Sequence, residues 1–575
     1  MSADVTGSGK HKLGIRWALW RASKVAASTG FVSQPEPRTI GQYNRGRQMV
    51  AGNFLFAGHL VEAPNTAIWD IRAPDPAFER EVHGFAWLDD LAALGDGPAR
   101  LRAQDWTYDW IARYGRGAGA GWSPDLTARR LIRWINHAFF LMSGRKAEQT
   151  SGYFRLLTTQ TVYLSRAWKG AAPGLPRFEA LTGMICAGLA LKGMAGHVPS
   201  AVAALAADCV DEIDAQCGLP TRNPEELLEV FTLLTWAGQA LSEAGRIAPP
   251  ELQLAKERIA PTLRALRHAD GGLARFHGGG RGLEGRLDHA LAAAGVRAIP
   301  SAGLAMGFAR MQGGRSTLIV DAASPPGVRA GRNAHASTNA FELTSGRRPV
   351  VVSCGSGAPF GAEWRQAGRA TASHSTLAVD GYSSSRFAPD DFTTFRETAR
   401  VTTARLMPTE DGIGLHLVHD GWALTHGLSH VRDLYLGHDG RRVSGIDKLA
   451  SLTLAQKRRF EALMQDGRLE GVAFDLRFHL HPDVDARLDM GGAAVSLALK
   501  SGEIWVFRHD GGGKLSLEPS VYLERARLRP RPTWQIVLSG VAADFETRLG
   551  WTLAKAQDTP LAIRDLVSEE MPVPV

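Results

Sequence analysis

At 575 residues the chain is too long for one compact core, and two large domains are its natural organisation. A hydrophobic content of 44% with 22% charged residues is that of an ordinary soluble globular protein. The formal charge of +8, from 66 Lys plus Arg against 58 Asp plus Glu, is small for this length, and suits either an anionic partner or simply an arginine-rich proteome. No zinc-finger spacing and no phosphate-cradling glycine loop followed by Lys and Ser/Thr occurs, so no nucleic-acid partner is expected. The four cysteines, Cys186, Cys209, Cys217 and Cys354, are too few and too unevenly spaced for a disulfide framework, which points to a reducing compartment.

Taken in chain order, residues 1–79 read as a partly helical N-terminal extension. Its first residues lack an apolar core of signal-peptide length, and no later run reaches 18 consecutive apolar residues. A cytoplasmic location without transmembrane segments is therefore expected, with the periplasm as the alternative. In HKLGIRWALWRASKVAAS, Trp17, Trp20 and Lys24 recur at helical spacing in a basic context. Docking of this helix on its own protein is the preferred reading, and a place on a membrane surface is the other.

Residues 80–295 have the apolar spacing of helices. RRLIRWINHAFFLM, LTGMICAGLALKGM, PEELLEVFTLLTWAGQALSEAG and ELQLAKERIAPTLRALRHAD repeat apolar residues at i, i+3, i+4. Pro224 followed by Glu225 and Glu226 makes a good helix start, with proline in the first turn and acids at the positive end of the dipole. HADGGLARFHGGGRG, with His268, Asp270 and His277, is a turn-rich link. Beyond it, in residues 296–575, STLIVDA, FELTSGRRPVVVSCG, STLAVDG, AAVSLALK, EIWVFRH and PTWQIVLSG read as short strands. About fifteen such runs suffice for an antiparallel β-sandwich. FDLRFHLHPDV places Phe474, Leu476, Phe478 and Leu480 on one strand face and Arg477, His479 and His481 on the other, which is expected to be solvated.

Two histidines about forty residues apart carry most of the functional signal: His335 in NAHASTNAFEL and His374 in RATASHSTLAVDG. The segment from His335 through AFELTSGRRPVVVSCGSG to SHSTLAVDG resembles the start of the C-terminal β-domain of the heparinase II/III-type polysaccharide lyases. WSPDLTARRLIRWINHAFF, from Trp122, and EVHGFAWLDDL, from Glu81, resemble the helical domain of the same family. The resemblance covers most of the chain from about residue 80 onward. It implies an α+β multidomain fold, in which an incomplete (α/α) toroid of the alginate-lyase type precedes the β-sandwich, and a divergent bacterial member of the family.

The activity so implied is β-elimination on an acidic, uronate-containing polysaccharide or oligosaccharide. A base removes the C5 proton, the C4 oxygen leaves, and a clamp of Asn, His or Arg neutralises the carboxylate. His335 and His374 match the two histidines that the family turns toward the cleft between its domains, and are the catalytic candidates, with His137 as a further base. Asn136, Arg222, Asn223, Asn333, Arg365 and Arg369 are the candidate substrate contacts. An isolated histidine near a strand end is more simply a packed residue, and for Arg365 and Arg369 surface ion pairs compete.

The motifs also depart from the family. Asn333 stands where the family has another His, and Ser337 where it has Asp. Ser353 replaces the Asp of a VDSG segment that helps hold a structural metal in some members. No cofactor is expected: zinc on His335, His374 and Cys354 would lack the carboxylate. R-N-P-E-E-L puts Glu226 and Leu227 where related lyases carry a Tyr-His pair, and Glu225 and Glu226 read more simply as a helix N-terminus. A carboxylate with an ordinary pKa of about 4.3 is a weak base unless burial raises it.

Two rival readings follow. A glycan-binding descendant would keep the cleft after losing the Tyr. A hydrolase would need Glu225 or Glu226 to face Asp270 across about 5–10 Å. A cytoplasmic location would restrict any glycan to an intracellular oligosaccharide or an envelope-glycan precursor. Neither the sugar, the mode of cleavage nor the oligomeric state is encoded in a readable motif.

Overall fold

The computed structural model describes residues 15, 17–297, 303–389, 391–467, 470–525, 527–556 and 565. Its N-terminal part is an incomplete toroid of helices, among them Gly97–Tyr114, Pro124–Asn136, Ala147–Ala167, Leu175–Ala190, Val198–Glu212, Pro224–Glu243 and Pro250–Ala265. Their starts follow local chemistry. Asp75 accepts from the Phe78 amide at 2.7 Å and Asp96 from the Ala99 amide at 2.8 Å, each just before a proline-containing first turn.

The toroid is filled by aromatic residues. Trp87, Trp110, Trp122 and Trp134 are all fully buried. Arg130 lies among them with its guanidinium 3.9 Å from the Trp110 ring centre, and is satisfied by Gln160 and the carbonyls of Gly121 and His83. A buried charge of this kind persists because most of its donors are met and its face is stacked, although Nη2 finds no hydrogen-bond partner among the described residues.

The C-terminal part is a sandwich of two antiparallel sheets. One runs Val401–Pro408, Gly412–Trp422, Leu428–Gly437, Arg442–Ala450, Glu546–Lys555, Ile504–His509, Ala494–Ala498, Asp485–Asp489. The other runs Lys514–Tyr522, Arg531–Ala542, Val472–Leu480, Arg348–Val352, Phe341–Ser345, Ser316–Asp321, Phe308–Gly313, Leu304–Ala305, with Leu377–Val379 added alongside Val472–Leu480. Phe341, Phe478, Phe507 and Trp551 fill the space between them, with the Phe341 and Trp551 rings stacked at 5.8 Å. The toroid's core continues into Met306, Phe308, Ile319 and Ala340, so the two parts share one apolar junction.

One sequence expectation fails. The face of Val472–Leu480 that carries Arg477 and His479 is solvated only at its start: Ala473 is exposed and Arg477 half-buried, whereas His479, and His481 just past the strand, are buried. His479 bonds Ser520 at 2.8 Å and the Ala372 carbonyl at 2.9 Å. The strand is internal to its sheet, and neighbouring segments carrying Ala372 and Ser520 cover the end of the face that alternation alone assigns to water.

Candidate functional site: a buried histidine cluster at the domain junction

The strand Ser316–Asp321 is buried along its whole length and ends in Asp321, a fully buried carboxylate. Three groups converge on it. Arg222 Nη2 donates to Oδ1 at 2.5 Å, Ser337 Oγ donates to Oδ2 at 2.7 Å, and His277 Nε2 lies 3.4 Å from Oδ2. Burial alone would raise the pKa of Asp321, but Arg222, His277 and Ser337 hold it well below the usual carboxylate range. The carboxylate that the motif lacks at Ser337 is thus present at the end of the preceding strand.

Arg222 comes from the loop that opens the helix Pro224–Glu243. Its backbone is left-handed, at φ +49°, which turns the side chain inward. There it also donates to the carbonyls of Met306, Gly307, Ala323 and Ser324, and stacks over Phe308 at 4.6 Å. Gly307, at φ +78°, is required by this approach, because a Cβ there would stand 2.7 Å from Arg222 Nε. Asn223 is equally occupied: its Oδ1 accepts from the Glu225 and Glu226 amides at 3.0 and 3.2 Å.

His277, in the link between domains, accepts the backbone N–H of His335 at Nδ1 over 3.2 Å. A neutral ring that accepts there carries its proton on Nε2, toward Asp321. The rings of His335 and His374 are 5.2 Å apart, and both are buried. Each sits in a loop just before a strand rather than in the strand itself. His374 Nδ1 is 3.0 Å from Ser353 Oγ, the hydroxyl that replaces the family's Asp. Among the described residues, His335 Nδ1 and His374 Nε2 meet no hydrogen-bond partner in good geometry. Burial, followed by the neighbouring histidines, holds His335 well below the usual histidine range and pushes His374 down to about 3.

The loops that carry the two rings are stitched together. Arg432 donates to the carbonyls of Asn339 and Ser375, and Thr371 Oγ1 to that of Ala336. Arg369 lies buried between Phe387 and Phe395 and donates to the carbonyls of Gly331, Ala334, Phe392 and Thr393. It is therefore a loop brace with no donor fork left for a substrate carboxylate, and not a surface ion-pair partner. Arg365 and Asn333 differ. Arg365 Nη2 donates to the Arg332 carbonyl at 2.9 Å, lies 3.5 Å from Asn333 Oδ1, and is partly exposed, as Arg332 and Asn333 are exposed.

The remaining candidates lie elsewhere or are differently used. Asn136 and His137 end the helix Pro124–Asn136, and His137 is buried against Asp89 at 2.9 Å and Thr39 at 3.2 Å, a separate cluster that includes Arg133. Leu227 is fully buried, and burial raises the pKa of Glu226, opposed by a hydrogen bond from Thr221. Glu225 accepts from the Gly280 amide and pairs with Arg525, while Asp270 pairs with Arg281. Among the described residues no group of three or more His, Cys, Asp or Glu is arranged to hold a metal ion, and Cys354 Sγ faces His479 Nδ1 at 3.5 Å. Neither Asp321 nor His277 lies in a sequence pattern that announces a role. The only available signal for Asp321 was a lone acid closing an otherwise apolar strand.

Comparison with known proteins agrees with this architecture. Residues 296–552 match the family described as Heparinase II/III-like, C-terminal. FtsZ-localized protein C from Caulobacter vibrioides (strain NA1000 / CB15N) is 30% identical over 569 residues, covering 96% of this chain and 93% of that protein. The crystal structure of heparinase III superposes with a TM-score of 0.67 at 11% identity, over 96% of this chain and 90% of that one. A mutant of heparan sulfate lyase HepC from Pedobacter heparinus gives 0.57 at 13%, over 96% and 89%. With the sandwich, the toroid and the paired histidines in place, the chain belongs to the heparinase II/III-like family.

Proposed function

We propose that the chain binds an acidic, uronate-containing oligosaccharide, such as an envelope-glycan precursor, without cleaving it, and that it does so in association with the FtsZ-based division machinery. The observation that carries the first half is the state of His335 and His374. A general base works best with a pKa near the operating pH and within reach of the proton it removes. Here both rings are buried, and His374 is pushed down to about 3. The cations placed to clamp a carboxylate, Arg222 and Arg369, are spent on protein acceptors. Arg332, Arg365 and Trp364, the residue before Arg365, are exposed or partly exposed, and guanidinium and aromatic groups of this kind suit an anionic sugar. The second half rests on the relative named for its FtsZ localisation, which aligns with 96% of this chain.

A lyase is the second reading, and one observation favours it. His335 Nδ1 and His374 Nε2 belong to adjacent rings, and neither meets a hydrogen-bond partner in good geometry among the described residues. Two measurements test the proposal. Calorimetric titration with uronate oligosaccharides should give binding that Arg332→Glu and Arg365→Glu abolish, and a fluorescent fusion of the full chain should co-localise with FtsZ at the division site. Undiminished binding in both charge reversals, or a uniformly diffuse fusion, would count against it.

A further inference from the structure

Two hairpins of one sheet end side by side. The first joins Phe308–Gly313 to Ser316–Asp321 and carries Arg315 at its turn; the second joins Phe341–Ser345 to Arg348–Val352 and carries Arg347 at its turn, with Arg348 opening the strand. Ser316 pairs with Ser345, and the Gly346 amide donates to the Arg315 carbonyl at 2.7 Å, so the turns stay in step. Gly346, at φ +56°, lets the Arg315 side chain lie across the second turn, because a Cβ there would stand 2.5 Å from Arg315 Nη2. Between these turns and Arg310 opens a cleft of about 450 Å³, lined among others by Arg310, Gln312, Arg315, Arg347 and Asp565. The strand Ser316–Asp321 has six residues, so its ends stand about 17 Å apart, with the cleft at one end and the Asp321 junction at the other.

Asp565 supplies the cleft's only carboxylate among the described residues that line it. Its oxygens take the Arg348 fork at both teeth, Oδ2 from Nε at 2.7 Å and Oδ1 from Nη2 at 2.6 Å, and the two side chains are 4% and 5% exposed. This planar, two-bond geometry is the one by which a guanidinium takes a carboxylate or a phosphate. The acid is foreign to the hairpins: it lies beyond Lys555, which ends a strand of the opposite sheet. One carboxylate does not balance the lining. Arg310 Nη1 donates to the carbonyls of Ala265 and Arg267 at 3.0 and 2.6 Å, and Nη2 to Gln312 Oε1 at 3.2 Å, all neutral acceptors. Arg347 is exposed and forms no ion pair among the described residues. We propose that the cleft is a binding site for a small ligand bearing two or more phosphate charges, and that Asp565 occupies it as a tethered competitor. A lone carboxylate leaves guanidinium charge unmatched, whereas a diphosphate presents several charges and more oxygens than one fork can take.

The cleft shares no residue with the histidine cluster, and its ligand is independent of the glycan reading. Inorganic pyrophosphate is titrated into the full chain by calorimetry at constant ionic strength, with acetate in parallel. Pyrophosphate should bind Asp565→Ala about fivefold or more tighter than the parent, because the competitor is gone. It should bind Arg347→Glu about tenfold or more weaker than the parent, because the reversed charge repels it. Acetate should bind none of them in the same concentration range. Thermal unfolding midpoints establish that each variant is folded, and Asp565→Asn, which keeps the side chain's size, stands in if Asp565→Ala is not. No pyrophosphate binding to a folded Asp565 variant would overturn the proposal. So would an affinity that Arg347→Glu leaves unchanged, acetate binding as tight as pyrophosphate, or equal affinity in the parent and the Asp565 variant, which would make the carboxylate a structural partner of Arg348 and not a competitor.

Discussion

His335 and His374 face each other with ring centres 5.2 Å apart in a region that water does not reach. The third histidine of the group, His277, fixes the first by accepting its backbone N–H, and in turn faces Asp321. Residues from the toroid, the link and the sandwich therefore meet at one carboxylate. The site is a joint between domains as much as a candidate for chemistry.

The joint sets a first expectation. Asp321→Asn removes the charge that compensates buried Arg222, leaving a cation in a low-dielectric junction. Loss of one partner from such a pair costs about 3–5 kcal/mol. Urea unfolding should show a correspondingly lower midpoint, and a change below about 1 kcal/mol would mean that Arg222 finds another anion.

Gly307→Ala tests the same joint from the opposite side. The new methyl would sit 2.7 Å from Arg222 Nε and 2.8 Å from Ala323 Cβ, at a backbone φ of +78°. A destabilisation of more than about 1 kcal/mol is expected from the strained backbone alone. Denaturant unfolding measures it, and a neutral substitution would contradict the close packing of Arg222.

The pH dependence of stability follows from the buried histidines. The folded pKa of His374 is about 3, against an ordinary value of 6.5, mainly because of burial. Between these values the unfolded chain binds a proton that the folded chain refuses, so stability is fully present above about 6.5 and falls as the pH drops toward 3. His335 acts in the same direction. Unfolding midpoints at pH 7, 5.5 and 4.5 should decline steadily, and a flat profile would show that these rings take up protons in the folded protein.

Ser353 Oγ lies 3.0 Å from His374 Nδ1 and can either donate to it or accept from it. Ser353→Asp places an anion there and should raise the His374 pKa, because a nearby negative charge favours the imidazolium. Histidine ring resonances followed by NMR titration would report the upward movement, and an unmoved resonance would mean that the new carboxylate is itself protonated.

Much of the architecture was legible in the sequence, because helical and strand periodicities are local and the motif around AFEL is continuous in the chain. The interior of the site was less so. The sequence presents Arg222 as a loop side chain free to meet a sugar, and its left-handed backbone, together with an acid 99 positions later, turns it inward. His479 and His481 alternate as a solvated face would, yet a loop carrying Ala372 and a strand carrying Ser520 cover His479. Partners so distant in sequence leave no periodic trace. Asn333 and Arg365, by contrast, were legible as polar groups near His335 and His374, and stand at the surface above them.

The central claim, binding without turnover, is tested most directly by following the ultraviolet absorbance of unsaturated uronate. The purified full chain would be incubated with heparan, chondroitin, alginate and bacterial envelope glycans, with His335→Ala and His374→Ala in parallel. The account predicts no product from any glycan, alongside measurable binding of at least one acidic oligosaccharide. Product formed by the parent chain and lost in both histidine variants would contradict it and establish a lyase.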